Sequence, residues 1–288
     1  MIVVTAPTST IGRVLVDVLL DQGAKLRLVA RDPSRLAPEV RDRVEVVAGS
    51  HGDPDVIDRA CAGAEAVFWL APDIDVPYAD FTRPGVAAFV RHGVQRVVAI
   101  TALGKGTPLA AQAGPVAASL AMCDLIAESG VAFRAVACPS FMHNLLSQVT
   151  SIRERGEFSM MIDPDRAAPL VAARDIAAAS ARLLLDDAWD GTGQVAVLGP
   201  EDLSPLDMAR IMSDVLGTEI AYRRSSAEEL IARLTGFGMP DEAARGMAAM
   251  FDAKNRGLDN AEPRTAASTT PTTFRAWCED VLKPAVLG

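Results

Sequence analysis

Six short aliphatic runs punctuate the first half of the chain, at residues 2–4, 26–30, 44–47, 66–70, 97–100 and 131–137, and helical patterns fill the gaps between them. The runs are continuous rather than alternating, as expected of parallel strands covered on both faces. Between the first two, Ile11, Val14, Leu15, Val18 and Leu19 recur at helical spacing, and Gly23 follows as a stop. A second helical segment holds Phe81, Ala88 and Phe89 and ends near Gly93. A third holds Leu120, Cys123, Ile126 and Ala127 and ends at Gly130. Strands and helices in this alternation predict an α/β chain built on a doubly wound parallel sheet, with right-handed crossovers.

Beyond residue 150 the rhythm changes. An Ala-rich helix is expected over 175–185 and a strand over 195–198. Ser204-Pro205-Leu206-Asp207 reads as a helix start, with a Ser cap, Pro at the first helical position and an acid three residues on. Helices near 227–234 and 241–251, a loop over 259–273 and a closing helix over 274–282 complete the pattern. We divide the chain into a nucleotide-binding region at 1–150 and a small C-terminal α/β lobe at 151–288. The lobe is interleaved with the first region and faces the substrate.

Composition removes several function classes. Lys and Arg number 28 against 37 Asp and Glu, a net charge of −9, which lacks the basic footprint of a nucleic-acid binder. The most apolar stretch, 109–123, is broken by Gln112, Gly114, Pro115 and Ser119, so no membrane span is expected. The opening Met1-Ile2-Val3-Val4-Thr5 is not a signal peptide. Cys61, Cys123, Cys138 and Cys278 are scattered, with no CxxC pair, and read as reduced thiols of a cytoplasmic protein. A homodimer is left open.

The first run leads into Thr5-Ala6-Pro7-Thr8-Ser9-Thr10-Ile11-Gly12, and a helix begins at once. In a sheet of this kind, that turn holds a dinucleotide's pyrophosphate on free N–H groups at the positive end of the helix dipole. The sequence therefore predicts a Rossmann-type site, with Thr8, Ser9, Thr10, Ile11 and Gly12 as cofactor-binding residues. The glycines usual at the first two positions are here Ala6 and Ser9, so a scaffold whose turn has lost its ligand stays open as a second reading. The second run ends in Arg31, with Arg35 one turn on. These suit the 2′-phosphate of NADP(H) better than an acid would, which would grip the ribose of NAD.

The turn, Arg31-Asp32-Pro33, Ala48-Gly49-Ser50-His51-Gly52-Asp53, Cys138-Pro139-Ser140-Phe141-Met142-His143-Asn144-Leu145-Leu146 and Leu198-Gly199-Pro200-Glu201-Asp202-Leu203-Ser204 follow one another in order. Together they resemble the NmrA-like branch of the atypical short-chain dehydrogenases, from residue 1 to about 285. The resemblance implies a Rossmann fold, a preference for NADPH, and a small C-terminal lobe over the nicotinamide end. It also implies an activity among quinone or azo reductases, iminium or enone reductases of secondary metabolism, or redox-sensing regulators without turnover. This chain departs from the family pattern at Ala6 and Ser9. It departs again at Ser50, where the family often has an Asp near the adenine, and at Ser119 and Cys123, where members often carry Lys and Glu.

Ordinary short-chain dehydrogenases protonate an alkoxide through Tyr-x-x-x-Lys. Here Tyr78 is followed four residues on by Thr82 and Tyr222 by Ser226, so that route is absent. An acceptor that builds little unstable negative charge remains possible: a quinone, enone or iminium, for which the enzyme supplies proximity and an apolar slot. Leu70, Ala71 and Pro72 end the fourth run and Thr101 the fifth, tips expected to face the ligand crevice. Thr101 is a candidate to orient a carbonyl. His143, after the sixth run, is the candidate for proton transfer near neutral pH. His92 sits at a helix end, and His51 lies in a loop bordering the adenine. The three histidines lack metal-ligand spacing, and no metal is expected. Residues 158–162 and 247–251, rich in Met and Phe, suit either core packing or a pliable aromatic pocket. The expected function is NADPH-dependent reduction of a quinone-like or other activated aromatic molecule. A non-catalytic NADP-sensing regulator and a dinucleotide-free tailoring enzyme are the alternatives.

Overall fold

The computed structural model describes residues 1–71 and 77–288. Its strands are β1 (Ile2–Thr5), β2 (Leu26–Ala30), β3 (Glu45–Ala48), β4 (Ala66–Trp69), β5 (Arg96–Ala102), β6 (Ala132–Cys138), β7 (Ser140–Phe141), β8 (Glu157–Met160), β9 (Ala168–Val171), β10 (Thr192–Ala196), β11 (Asp202–Leu203) and β12 (Ala221–Arg224). The α-helices are α1 (Thr10–Asp21), α2 (Pro38–Arg41), α3 (Pro54–Cys61), α4 (Tyr78–Arg91), α5 (Pro115–Ala127), α6 (Val149–Arg155), α7 (Ala173–Leu185), α8 (Pro205–Leu216), α9 (Ala227–Gly236), α10 (Asp241–Asn255), α11 (Phe274–Trp277) and α12 (Lys283–Leu287). Two compact units result. The first takes Met1–Ala102, Ala118–Ala137 and Ile176–Val195, and the second Leu103–Ala117, Cys138–Asp175 and Ala196–Gly288.

The first unit is built on a seven-stranded sheet of order β10-β6-β5-β4-β1-β2-β3. Ile2 pairs in parallel with Leu26 on one side and Ala66 on the other. The chain winds outward from β1 to β3, returns to β4 beside β1, and winds the other way. This is the doubly wound α/β arrangement expected from the aliphatic runs, and it puts the topological switch point between β1 and β4. The runs are aliphatic because both faces are covered: Val3, Val29, Val67, Val97 and Ala99 enter one buried cluster with Ile57, Phe89 and Met122, and Val4, Leu28, Phe68 and Val98, which alternate with them, are fully buried as well. The seventh strand comes from the second half of the chain and ends at Ala196. Val197 and Leu198, expected to extend it, leave the ladder because the Leu198 N–H donates to the Ser268 carbonyl and its own carbonyl accepts from Thr270 N–H.

The second unit carries a three-stranded sheet, β11-β9-β7, and a parallel pair, β12 and β8. Its core gathers Ile152, Phe158, Met208, Met212, Phe274, Trp277 and Leu282. The start of α8 has the predicted form: Ser204 accepts from the Asp207 N–H, and the Asp207 carboxylate accepts from Ser204 in return. The closing helix continues from α11 through a π turn at Cys278–Leu282 into α12. Arg153 donates to the carbonyls of Ala285 and Val286, satisfying the end of that helix. Among the described residues no helix is long and apolar enough to cross a membrane.

Candidate functional site

In the first unit the site begins with Thr5, the last residue of β1. Its hydroxyl donates to the Phe68 carbonyl at 3.0 Å and accepts from the Leu70 N–H at 3.0 Å, which ties β1 to the end of β4 at the switch point. Ala6 follows with φ +50°, a left-handed conformation that glycine adopts freely and alanine rarely. The backbone has kept the glycine shape without the glycine. Ser9 caps α1 by accepting from the Gly12 N–H at 3.0 Å. A β-carbon on Gly12 would stand 2.2 Å from the Ala6 carbonyl oxygen and 2.9 Å from Ser9 Oγ, so this glycine is a packing requirement. The N–H groups of Thr10 and Ile11 have no acceptor among the described residues. They open the helix as donors toward an anion.

Arg31 lies just beyond β2 and Arg35 in the short 3₁₀ turn Pro33–Arg35. Both are exposed, and neither is committed to a hydrogen bond or ion pair among the described residues. Asp32 instead accepts from the N–H and hydroxyl of Ser34, which holds its carboxyl below the usual carboxylate range. Ser50 follows β3, and its hydroxyl accepts from the Gly52 N–H at 3.3 Å. His51 is buried beside it, with Nε2 at 3.0 Å from the Leu70 carbonyl. Leu70 and Ala71 are half-buried at the end of β4; Pro72 lies outside the described residues. Thr101, at the end of β5, is buried and donates to Ser119 Oγ of α5 at 3.2 Å. With its proton engaged there, Thr101 ties β5 to α5. The serine that stands where a family lysine was expected is its partner.

In the second unit, His143 is the second residue of the 3₁₀ turn Met142–Gln148 after β7 and is half-buried. Trp277 donates its indole N–H to His143 Nδ1 at 3.3 Å and packs edge-on at 5.5 Å between ring centroids. Burial, and then the Arg174 cation, lower the proton affinity of His143. Arg174 is fixed by Thr272 Oγ1 and Asp280, both at 2.8 Å, and Asp175 accepts from the N–H and hydroxyl of Thr272. A neutral His143 therefore carries its proton on Nε2 and can donate a hydrogen bond from it. Phe158 belongs to the core, whereas Met247, Met250 and Phe251 are half-buried on α10. A recess of about 200 Å³ lies between Leu109 and Gln112 on one side and Ala249 and Arg256 on the other, and none of the residues singled out from the sequence as a cofactor or catalytic candidate lines it. No cluster of metal-ligating side chains occurs among the described residues.

Sequence reasoning missed Thr5, Trp277 and Arg174. Thr5 was visible as a hydroxyl at a strand end. The Trp277 contact spans 134 residues, and nothing in local spacing signals it.

The family model described as the NmrA-like family matches residues 1–278. The chain belongs to the NmrA-like family. Among curated relatives it is 29% identical over 252 residues to NAD(P)H azoreductase of Xenophilus azovorans, covering 87% of this chain and 86% of that protein. It is 32% identical over 223 residues to (4-alkanoyl-5-oxo-2,5-dihydrofuran-3-yl)methyl phosphate reductase of Streptomyces griseus, covering 77% and 76%. Its fold matches the NADPH complex of an NADPH-dependent quinone oxidoreductase from Escherichia coli with a TM-score of 0.80 at 20% identity, covering 96% of this chain and 97% of that one.

Proposed function

We propose that this chain is an NADPH-dependent reductase of activated aromatic acceptors of the quinone type. The observation that carries the reading is the turn after β1. Ala6 holds a glycine conformation, and Gly12 lies against the Ala6 carbonyl where no β-carbon fits, so the backbone cradle persists although two of its glycines are gone. The donor set fits NADP(H). The Thr10 and Ile11 N–H groups, with the Thr8 and Thr10 hydroxyls, suit the pyrophosphate. Arg31 and Arg35 suit a 2′-phosphate, and Ser50, Leu70 and Ala71 border the same sheet edge. The two curated relatives, both named as reductases, support the same class.

NADPH bound by these residues supplies a hydride. A quinone that takes up a hydride and a proton becomes a hydroquinone, and it accumulates little unstable charge on the way. This accords with a chain whose tyrosines, Tyr78 and Tyr222, have no lysine four residues on. Electron-poor aromatic acceptors are favoured over simple ketones for the same reason. In the second unit, a neutral His143 keeps an Nε2–H that suits a hydrogen bond to a carbonyl oxygen better than full proton transfer.

The test is NADPH consumption, followed by its near-ultraviolet absorbance, with a panel of quinones and azo dyes. Turnover of at least one acceptor is expected. Tight NADPH binding with no acceptor consumed would replace this reading with that of a dinucleotide sensor.

A further inference from the structure

His51 is held in one orientation by everything around it. Its ring meets Trp69 edge-on at 5.0 Å and Phe81 at 4.8 Å. Trp69 is itself fixed, donating from Nε1 to Thr82 Oγ1 at 3.0 Å. Gly52 has no room for a β-carbon, which would meet Phe81 Cε2 at 2.3 Å, so the chain leaving His51 is locked against the same ring. A carbonyl oxygen can only accept, so the 3.0 Å contact with Leu70 puts the imidazole proton on Nε2. Nδ1 is then left with a lone pair, and no donor among the described residues meets it. Burial pushes the histidine down to about 4, so that lone pair is kept across the neutral range. His51 as a whole retains 8% exposure.

The ring also stands at a defined place. It follows β3, bonds to the end of β4, and lies within electrostatic reach of Arg31 beyond β2. If Arg31 takes the 2′-phosphate, the base attached to that ribose lies along this edge. Adenine presents one strong donor, its exocyclic amine. Ser50 is the other polar candidate: its hydroxyl accepts from the Gly52 N–H at 3.3 Å and keeps a second lone pair, so Ser50→Ala is needed to tell the two apart.

We propose that His51 Nδ1 accepts a hydrogen bond from the exocyclic amine of the adenine of NADP(H), making His51 the residue that reads the base. This rests on the cofactor reading above.

The test is calorimetric, on the whole chain, with NADPH and its hypoxanthine analogue, in which a carbonyl replaces the amine and would face the Nδ1 lone pair. The wild-type protein is expected to bind NADPH on the order of tenfold more tightly than the analogue. His51→Phe, which keeps a ring against Trp69 and Phe81 but has no acceptor, is expected to bind the two alike, and Ser50→Ala to keep the preference. Equal wild-type affinities would overturn the proposal on their own, without any variant having to fold, while leaving the cofactor reading intact. An undiminished preference in His51→Phe would also overturn it. Failure of both ligands to bind would overturn the cofactor reading together with this one.

Discussion

The carbonyl oxygen of Ala6 stands 2.2 Å from the point where a β-carbon on residue 12 would sit. The blocking atom belongs to the backbone, so no side-chain rotation relieves the clash. Gly12→Ala is expected to lose about 1–3 kcal/mol of stability, as overpacked sites do, and to weaken NADPH by at least about tenfold as the turn is displaced. Urea unfolding and calorimetry check the two effects. Wild-type affinity in this variant would mean that the turn does not hold the pyrophosphate.

Ala6→Gly should act in the opposite direction. An alanine in the left-handed region costs about 1–2 kcal/mol, whereas the extra freedom of an unfolded glycine costs about 0.5–1 kcal/mol. The variant is expected to be unchanged or more stable by up to about 1 kcal/mol, read as an equal or higher urea midpoint. A drop of about 1 kcal/mol, the ordinary penalty of glycine, would show that φ at Ala6 is not strained.

Those two residues also show how far the sequence could be read. The parallel strands were legible because both faces are covered, Val3, Val67 and Val97 being buried on one and Val4, Phe68 and Val98 on the other, and such strands must be aliphatic throughout. The turn was only partly legible. Motif reasoning registers Ala6 and Ser9 as lost glycines. It does not see that the Ala6 backbone keeps the left-handed shape or that Ser9 becomes the cap of α1. Thr101 was recognised as a strand tip, but its hydroxyl partner lies in α5, and helix packing brings Ser119 to it. His143 was found from a resemblance. The partners that set its tautomer and charge, Trp277 and Arg174, come from segments that only the folded chain brings together.

Arg31→Ala is expected to weaken NADPH by about tenfold or more, the size of a lost charge-assisted contact, and to leave NADH nearly unchanged. Calorimetry with both cofactors checks this. Equal losses would remove Arg31 from the 2′-phosphate.

Acid should destabilise the fold through His51. The ring titrates near 6.5 when unfolded and about 4 when folded. Below 6.5 the unfolded chain takes up a proton that the native state refuses. Stability is therefore full above that pH and falls toward pH 4, by about 3 kcal/mol from this group. His51→Phe should flatten the dependence of the urea midpoint on pH across this window. An unchanged slope would show that His51 is not the buried neutral base.

His143→Ala is expected to cut turnover with a quinone while sparing NADPH affinity, and His143→Gln, which keeps a donor, to recover part of the rate. Arg174→Gln removes the cation that opposes protonation, so it should raise the His143 pKa, visible in ring proton shifts against pH. A lowered or unmoved value would contradict the electrostatic account.

The most direct measurement is a calorimetric titration of the purified chain with NADPH and, in parallel, with NADH. The account predicts micromolar binding with NADPH preferred. No heat at millimolar cofactor would contradict it, and would leave a Rossmann scaffold whose Ala6–Gly12 turn serves the fold alone.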